Sequence, residues 1–311
     1  MTEDRLIDTI QAQAEQSRQV GIRLGIGDDT AILKPLKAGL EMLVTTDQII
    51  ENTHFTRSRH PAGALGWKCL ARGLSDIAAM GGKPGYFLLS LALPTWTLSG
   101  GWLQRFLAEM FQLASLARIP LVGGDVARSD RFTANVTVTG SVPAGTALRR
   151  DHAHPGDIVY VSGKLGGSAL GFERLHARSK RLTDPAVLRH IRPQPRLGLG
   201  DYLRRTGRAS AAMDLSDGLS TDAARLAKAS KAGIEINESA VPRFDGASLE
   251  QALHGGEDYE LLFTASPRIR VPKRWKGLPL TAVGSVVKQP GLAAVSSGQR
   301  RPLAPNGFRH F

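Results

Sequence analysis

Two adjacent aspartates in a glycine-rich turn constrain this chain more strongly than any other stretch. The segment from Gly25 to Thr30 has the sequence GIGDDT, which places Asp28 and Asp29 where the backbone has just turned. Glycines allow backbone conformations that other residues avoid, and neighbouring carboxylates repel each other more strongly as water is excluded. A fold therefore keeps such a pair on a solvated surface or around a cation, and carboxylate oxygens suit Mg²⁺ or Ca²⁺. Taken alone, the stretch leaves both interpretations open.

The length and composition indicate a folded protein with two domains. The chain has 311 residues, of which 42% are hydrophobic and 22% charged, and this is enough for two domains that each bury a core. Its one cysteine, Cys69, excludes a disulfide framework and a cysteine-based metal site. We expect Cys69 in the core, on a long helix that begins at Pro61. The sequence shows no signal peptide and no apolar run that could span a bilayer, so we expect a soluble, cytoplasmic protein without a membrane partner.

The net charge of +12 raises nucleic acid as a partner. The basic residues, however, are spread in small groups, such as Arg149-Arg150 and Arg300-Arg301, without interleaved aromatic residues. No zinc-finger spacing and no motif typical of RNA-binding sheets occurs. A solvated basic surface is therefore favoured over a nucleic-acid site, and attraction of small anionic molecules stays open.

Further acids follow stretches that we predict to be strands. Met42–Asp47 is predicted as a buried strand that ends on an acid, and a strand at 119–122 runs into the sequence Gly-Gly-Asp125. A strand before Asp214 leads into a segment that also contains Asp217. Ligands of α/β folds gather at such strand ends. Several carboxylates without a cysteine or histidine cluster favour Mg²⁺, which usually serves the phosphate groups of substrates.

Some of these residues also have ordinary structural explanations. Aspartate and serine near the start of the predicted helix 219–230 are common caps, and a lone histidine such as His54 is usually a surface or capping residue. Asp76 is different, because it lies on an apolar stretch of the helix that begins at Pro61, where an unpaired acid is costly. A functional interpretation is therefore favoured at Asp76.

Six segments, in the same order, resemble the thiamine-monophosphate kinase family. They are Gly25–Asp29, Thr46-Asp47 with His54-Phe55, Leu74–Met80, Gly123–Asp125, Asp214–Leu219 and Gly255–Leu261. The resemblance implies an α/β (α+β) protein with the two-domain fold of aminoimidazole ribonucleotide synthetase. Residues 1–148 would form an N-terminal domain whose sheet builds a homodimer, and residues 149–311 a C-terminal α/β domain. It also implies that ATP phosphorylates thiamine monophosphate to thiamine diphosphate, with Mg²⁺ as cofactor.

The resemblance also implies roles for individual residues. The ligands of Mg²⁺ would be Asp28, Asp29, Thr45, Thr46, Asp47, Asp76, Asp125, Asp214 and Asp217. The contacts with ATP would come from Gly124, Asp125, Arg150 and Ser216, and the contacts with the thiamine substrate from His54, Glu257 and Phe308. The expected catalytic residues are Asp47, Asp125 and Asp217.

The implied chemistry needs no general base. A phosphate monoester has a second pKa near ~6, so the attacking phosphate oxygen is already largely ionised at neutral pH. Catalysis then rests on positioning and on neutralising charge. The chain departs from the family pattern at Gly73, where asparagine is common, and at Gly167, where aspartate is common. Its tail offers Phe308 where the family usually has a tryptophan near Pro305.

Three alternatives stay open. Selenophosphate synthetase shares the fold but normally carries a reactive cysteine or selenocysteine near the N-terminal glycine-rich loop, whereas Cys69 lies in the helix that begins at Pro61. Aminoimidazole ribonucleotide synthetase would lack the His54-Phe55 and Gly-Glu-Asp-Tyr-Glu sequences. A basic nucleic-acid-binding protein would bind DNA or RNA with steep salt dependence, and its ATP turnover would not respond to thiamine monophosphate.

Overall fold

The computed structural model describes residues 10–14, 22–24, 32–33, 37–177 and 181–308 of the chain. Residues 10–14 are helical, and Ile10 and Ala14 within them are buried. The glycine-rich turn 25–30, with Asp28 and Asp29, lies outside the described residues. The metal-binding role of these two acids therefore stays a prediction.

Helices and strands follow one another along the described chain in small groups. The helices are α1 (Ala62–Ala79), α2 (Trp102–Ala117), α3 (Gly167–His176), α4 (Pro185–Ile191), α5 (Leu197–Arg205), α6 (Leu219–Ala229) and α7 (Leu249–His254). The strands are β1 (Ile22–Leu24), β2 (Ile32–Leu33), β3 (Leu40–Ile50), β4 (Lys83–Leu93), β5 (Leu121–Arg128), β6 (Thr133–Pro143), β7 (Ile158–Ser162), β8 (Ala211–Asp214), β9 (Gly233–Asn237), β10 (Leu261–Ala265), β11 (Arg274–Trp275), β12 (Leu278–Val287), β13 (Gly291–Ser296) and β14 (Gln299–Pro302). The predicted combination of helices and sheets is confirmed.

The chain divides into two compact units, of which the first contains the described residues up to Ile77 together with Gly82–Gly145. Its four-stranded sheet has the order β3-β6-β4-β5, with β4 and β5 parallel and the other neighbours antiparallel. Helix α1 packs closely on β6, because a Cβ atom on Gly73 would lie 2.6 Å from Cγ2 of Val138. Cys69 on the same helix is buried, as predicted.

Strand β3 differs from its prediction as a buried strand that ends at Asp47. It continues to Ile50, so Asp47 lies within the strand, and its alternate residues Met42 and Val44 are 51% and 62% exposed. The pairing with β6 continues to Ile50, and the face that carries Met42 and Val44 is not covered by the described residues. Apolar residues on that face therefore stay at the surface.

Strand β5 also corrects the expected position of an acid at a strand end. The residues Gly123, Gly124 and Asp125 lie inside β5, because the pairing with β4 continues through both glycines. The acid at the end of β8 does occur as expected, since Asp214 is the last residue of that strand. Strand ends therefore account for only part of the predicted acid cluster.

The second unit contains Ala78–Gly81 and the described residues from Thr146 onward. Its eight-stranded sheet has the order β14-β13-β9-β12-β7-β10-β8, with β11 beside β12, and β9 and β13 form its parallel pair. Strands β8 and β10 are buried along their whole length, which makes them a rigid support for the loops at their ends. Within the described ranges, no helix is long and apolar enough to cross a membrane.

Candidate active site

An acid pair lies where β3 faces α1 in the first unit. Oγ1 of Thr45 donates a hydrogen bond of 2.5 Å to Oδ2 of Asp76. Nη2 of Arg72 donates one of 3.3 Å to Oδ1 of Asp47. Thr45 and Asp47 are alternate residues of β3 and therefore point to the same face of the sheet. The structure thus brings together Thr45, Asp47 and Asp76 from the predicted metal ligands.

The electrostatics of this pair favour a cation. The pKa of Asp47 is raised to about 6, because burial and the carboxyl of Asp76 together outweigh the guanidinium of Arg72, which lowers it. Two carboxylates that water solvates poorly repel each other, so added positive charge stabilises the fully ionised pair. The donor set of two carboxylates and a hydroxyl consists of the hard oxygen atoms that Mg²⁺ prefers. It therefore fits the predicted metal.

Two other predicted ligands of the first unit lie on the opposite face of the sheet. The Thr46 hydroxyl contacts Oδ1 of Asn135 at 3.0 Å and Oγ1 of Thr137 at 3.2 Å on that face. Asp125 is exposed, and the strand register from Asp125 through Ser90 to Asn135 places it on the same face as Thr46. Within the first unit, Thr46 and Asp125 are therefore not gathered with the acid pair, and their metal-binding roles stay predictions.

Gly124 has a structural reason to be glycine. A Cβ atom at this position would lie 1.9 Å from the carbonyl oxygen of Leu89 on β4, a distance that no side chain tolerates. The missing side chain therefore allows β5 to pair closely with β4. The predicted contact of Gly124 with ATP stays a prediction beside this packing role.

His54 lies in the turn that follows β3. Its Nδ1 accepts a hydrogen bond of 3.1 Å from the backbone N–H of Ile50, which places the proton of the neutral ring on Nε2. The next residue, Phe55, is buried and packs edge to face on Phe132, with ring centroids 5.9 Å apart. The turn is therefore anchored in the core, and His54 has a defined orientation.

In the second unit, predicted residues gather around the loop that follows β8. Asp214 is buried at the end of the strand, and Ser216 and Asp217 follow before α6 begins. The carbonyl oxygen of Ser216 accepts a hydrogen bond of 2.8 Å from the N–H of Glu257. That of Asp217 accepts one of 3.1 Å from the N–H of Phe308. Residues predicted separately for ATP, metal and thiamine substrate are therefore neighbours in this unit.

The C-terminal segment reaches this loop because Gly307 has no side chain. A Cβ atom on Gly307 would lie 1.9 Å from the carbonyl oxygen of Asp217, and the N–H of Gly307 donates a 3.0 Å hydrogen bond to Oγ1 of Thr221. Phe308 is consequently held beside Asp217, with 45% of its surface exposed. An exposed aromatic ring in this position suits stacking on a heterocycle.

Arg225 on α6 holds the carboxylate of Asp217. Its Nη1 donates hydrogen bonds to Oδ2 of Asp217 and, at 2.9 Å, to Oδ1 of Asp222. Asp222 is fully buried, burial raises its pKa to about 6, and it accepts a 3.0 Å hydrogen bond from the N–H of Asp217. The loop is therefore ordered by both partners, and Asp217 contacts Arg225 through Oδ2.

Arg150 begins a short 3₁₀ turn in the second unit and is exposed. Its carbonyl oxygen accepts a 2.6 Å hydrogen bond from Oγ of Ser230, which ties the turn to the end of α6. The backbone of Arg150 is therefore fixed, while its predicted contact with ATP stays a prediction.

Sequence patterns indicate part of these clusters and miss the rest. Arg72 pairs with Asp47 on β3, and its spacing from Asp76 on the helix does not indicate that contact. Arg225 lies three residues after Asp222 on α6, so the spacing of opposite charges on a helix indicates their ion pair. His190, in contrast, places Nδ1 3.4 Å from Oε2 of Glu257 although the two residues are far apart in the sequence. No local pattern indicates that contact.

The predicted carboxylates that the structure describes do not form one cluster. Within the part of the chain that the structure describes, no group of three or more histidine, cysteine, aspartate or glutamate side chains is placed to hold a metal ion. Asp28 and Asp29 lie outside this part. The full ligand set of Mg²⁺ therefore stays a prediction, for which the Asp47–Asp76 pair provides the best geometry.

Both halves of the chain match models of one protein family. Residues 27–142 match the family described as AIR synthase related protein, N-terminal domain, and residues 154–295 match its C-terminal domain. The thiamine-monophosphate kinase of Escherichia coli (strain K12) is 37% identical to this chain over 314 residues, which cover 95% of this chain and 94% of that protein.

Solved structures agree with this assignment. The thiamine-monophosphate kinase from Stenotrophomonas maltophilia K279a is 35% identical, with a TM-score of 0.82 over 94% of this chain and 96% of that one. A complex of AaThiL with AMPPCP and TMP is 32% identical, with a TM-score of 0.79 over 99% of this chain and 97% of that one. The predicted fold and family are thereby confirmed, and the chain belongs to the thiamine-monophosphate kinase family.

Proposed function

We propose that this protein transfers a phosphoryl group from ATP to thiamine monophosphate and so forms thiamine diphosphate, with Mg²⁺ bound by its aspartates. The observation that carries the proposal is the match to thiamine-monophosphate kinases over nearly the whole chain. The related AaThiL, solved with AMPPCP and TMP, supports a nucleotide and a monophosphate as the two ligands.

The acids of the two units support the metal-binding part of the proposal. Asp47 and Asp76 are adjacent in the first unit, and Asp214 and Asp217 lie at the end of β8 and in the loop behind it in the second. When bound, Mg²⁺ supplies positive charge against the phosphate oxygens of both substrates. The further proposed ligands, on the ground of the family pattern, are Asp28, Asp29, Thr45, Thr46 and Asp125.

The reaction asks for positioning more than for proton transfer. The nucleophile is a phosphate oxygen of thiamine monophosphate, which is largely ionised at neutral pH because the second pKa of a phosphate monoester is near ~6. The hydrogen bond from Thr45 orients the carboxylate of Asp76, and Arg72 orients that of Asp47. Carboxylates held in this way lose little freedom when the two phosphate-bearing substrates are aligned.

We assign the binding of the thiamine part of the substrate to Glu257 and Phe308, which lie beside the loop that follows β8. The side chain of Glu257 is 28% exposed, and a carboxylate attracts the cationic thiazolium ring. Phe308 offers an exposed aromatic face to the same kind of ring. His54 is retained as a proposed substrate contact of the first unit, and Gly124, Arg150 and Ser216 as proposed contacts of ATP.

The exposed face of the first sheet supports a homodimer. Met42 and Val44 on β3 and Leu88 on β4 are 51%, 62% and 41% exposed, and the strand register places them on one face. Exposed apolar residues on one face of a sheet are stabilised when a partner covers them. We therefore propose that two copies pack through this face. The use of ATP favours a cytoplasmic location.

The proposal is tested by incubating the purified protein with ATP and thiamine monophosphate in Mg²⁺ and, separately, in EDTA. We expect equal amounts of ADP and thiamine diphosphate with Mg²⁺ and neither product in EDTA, as measured by chromatography. Thiamine in place of its monophosphate is the control and should give no diphosphate. A folded protein that hydrolyses ATP without forming thiamine diphosphate would contradict the proposal.

A further inference from the structure

We infer that His190 is a positioning residue that holds the carboxylate of Glu257 in place for thiamine monophosphate. The inference rests on the proposed function, because it assigns His190 a part in binding that substrate. His190 lies on α4 and exposes 1% of its surface. Its Nδ1 lies 3.4 Å from Oε2 of Glu257 and 3.0 Å from Oγ of Ser168. With the proton on Nδ1, the tautomer on which the inference depends, a buried imidazole N–H is directed at a partly exposed carboxylate and at the Ser168 hydroxyl.

The backbone of Glu257 adopts a conformation that is energetically unfavourable for a residue other than glycine. Its φ angle of 65° lies in the left-handed region, which residues other than glycine seldom adopt. The hydrogen bond from its N–H to the carbonyl oxygen of Ser216 holds the backbone in this conformation. Such strain persists where the surrounding structure imposes it and often marks a functional position. The side chain is 28% exposed, and its Oε2 lies within 3.4 Å of the His190 ring.

The helix that carries His190 is itself firmly held. Asp184 caps the first turn of α4 through backbone N–H groups. Nη2 of Arg189 donates a 2.6 Å hydrogen bond to Oε1 of Glu260, which is fully buried and also bound by Arg196. Adjacent residues of α4 therefore contact two acids of the same segment. The Arg189 contact holds the helix, and His190 lies beside the partly exposed Glu257.

The consequence is specific for one of the two substrates. Thiamine monophosphate carries a cationic thiazolium ring and an aminopyrimidine, to which an ordered carboxylate can bind, whereas ATP has no permanent cation. A side chain that is ordered before binding loses less conformational entropy when the ligand arrives. Loss of the His190 contact should therefore weaken the binding of thiamine monophosphate and leave the binding of ATP unchanged.

Two substitutions separate positioning from packing. His190→Leu fills the site but removes the ring nitrogens, whereas His190→Asn keeps a hydrogen-bonding amide near the position of Nδ1. We expect His190→Leu to raise KM for thiamine monophosphate about tenfold while kcat and KM for ATP stay within about twofold. His190→Asn should recover most of the lost affinity. The matched control is His176→Leu on α3, because His176 contacts the ring of Phe172 that His190 also contacts, and it should leave all three constants unchanged.

Calorimetric binding of thiamine monophosphate in the absence of ATP gives a readout that does not depend on turnover. His190→Leu should weaken this Kd by about tenfold, and His190→Asn by much less. An unchanged Kd, or equal losses of affinity for both substrates, in a variant with a native circular dichroism spectrum would overturn the inference. If the wild type forms no thiamine diphosphate, the proposed function fails first. If the wild type is active and the His190 variants bind thiamine monophosphate as tightly as the wild type, only the role of His190 is refuted.

Discussion

Asp47 and Glu260 show how partner residues decide the ionisation of a buried acid. At Asp47, burial and a second carboxyl outweigh the guanidinium of Arg72, and the pKa rises to about 6. At Glu260, burial also acts to raise the pKa, but Arg196 and Arg189 outweigh it and hold the pKa below its usual range. The ionised carboxylate of Glu260 is therefore already neutralised by Arg189 and Arg196. Asp47 is the acid that gains from a further cation.

The raised pKa of Asp47 predicts a pH-dependent stability of the metal-free protein. Because the native-state pKa of about 6 exceeds the unfolded value of 3.8, the native state binds the proton more tightly. The resulting stabilisation is full below about pH 4 and is lost as the pH rises through about 6, with a total of at most about 3 kcal/mol. In EDTA, Asp47→Asn should be more stable than the wild type at about pH 7.5, by urea denaturation, and the difference should shrink toward about pH 4.5.

The control for this experiment is Asp130→Asn, which changes an exposed acid of the same unit and should keep the pH profile of the wild type. An Asp47→Asn profile as steep as that of the wild type would show that another group causes the dependence. The same variant should also lose turnover, since Asp47 is a proposed ligand of Mg²⁺. Near-normal turnover would remove Asp47 from the metal site.

At the scale of elements, the segment before β10 contains two acids with structural roles, Asp258 and Glu260, and one with a proposed substrate role, Glu257. Asp258 is buried and accepts hydrogen bonds from the N–H groups of Gly166 and Ser168 at the start of α3, at 2.6 and 3.0 Å. Burial raises its pKa to about 6. Glu260 binds arginines in the core, whereas Glu257 reaches the surface. Neighbouring acids of one motif therefore have different roles, because the turn and the strand point their side chains in different directions.

Strand β5 predicts a contrast between two adjacent glycines. Gly124→Ala places a Cβ atom 1.9 Å from the carbonyl oxygen of Leu89, which belongs to a rigid neighbouring strand, whereas Gly123→Ala meets Cδ2 of Leu88, a flexible side chain, at 3.2 Å. We expect Gly124→Ala to lower the free energy of unfolding by about 1–3 kcal/mol and Gly123→Ala to lower it by clearly less. Thermal and urea denaturation measure both. Equal stabilities would mean that β5 shifts away from β4 without loss.

For the whole molecule, the exposed face of the first sheet predicts the state of assembly. Val44→Asp places a charge on a face that should be covered in the dimer, so we expect the molar mass from light scattering to fall from that of a dimer to that of a monomer. Leu116→Asp is the control, because Leu116 is 69% exposed on α2 and should leave the dimer intact. A wild type that is monomeric at micromolar concentration would refute the proposed dimer.

The sequence by itself determined the family, the reaction and the combination of helices and sheets. These predictions rest on short motifs and on hydrophobic periodicity, which are local and therefore readable without contacts. The helix with Asp76 and the helix start behind Asp217 follow from such patterns, and both occur as predicted. The position of Asp214 at the end of β8 also follows from such a local pattern.

Only the tertiary structure decided which acids share an environment. Whether β3 is buried depends on what covers each of its faces, so its sequence alone could not show that Val44 is exposed and that Asp47 lies within the strand. The pairing of Asp47 with Asp76 and the contact of His190 with Glu257 join residues far apart in the chain. Burial and charge act through space, and the pKa and orientation of a carboxylate follow from its neighbours in the folded protein.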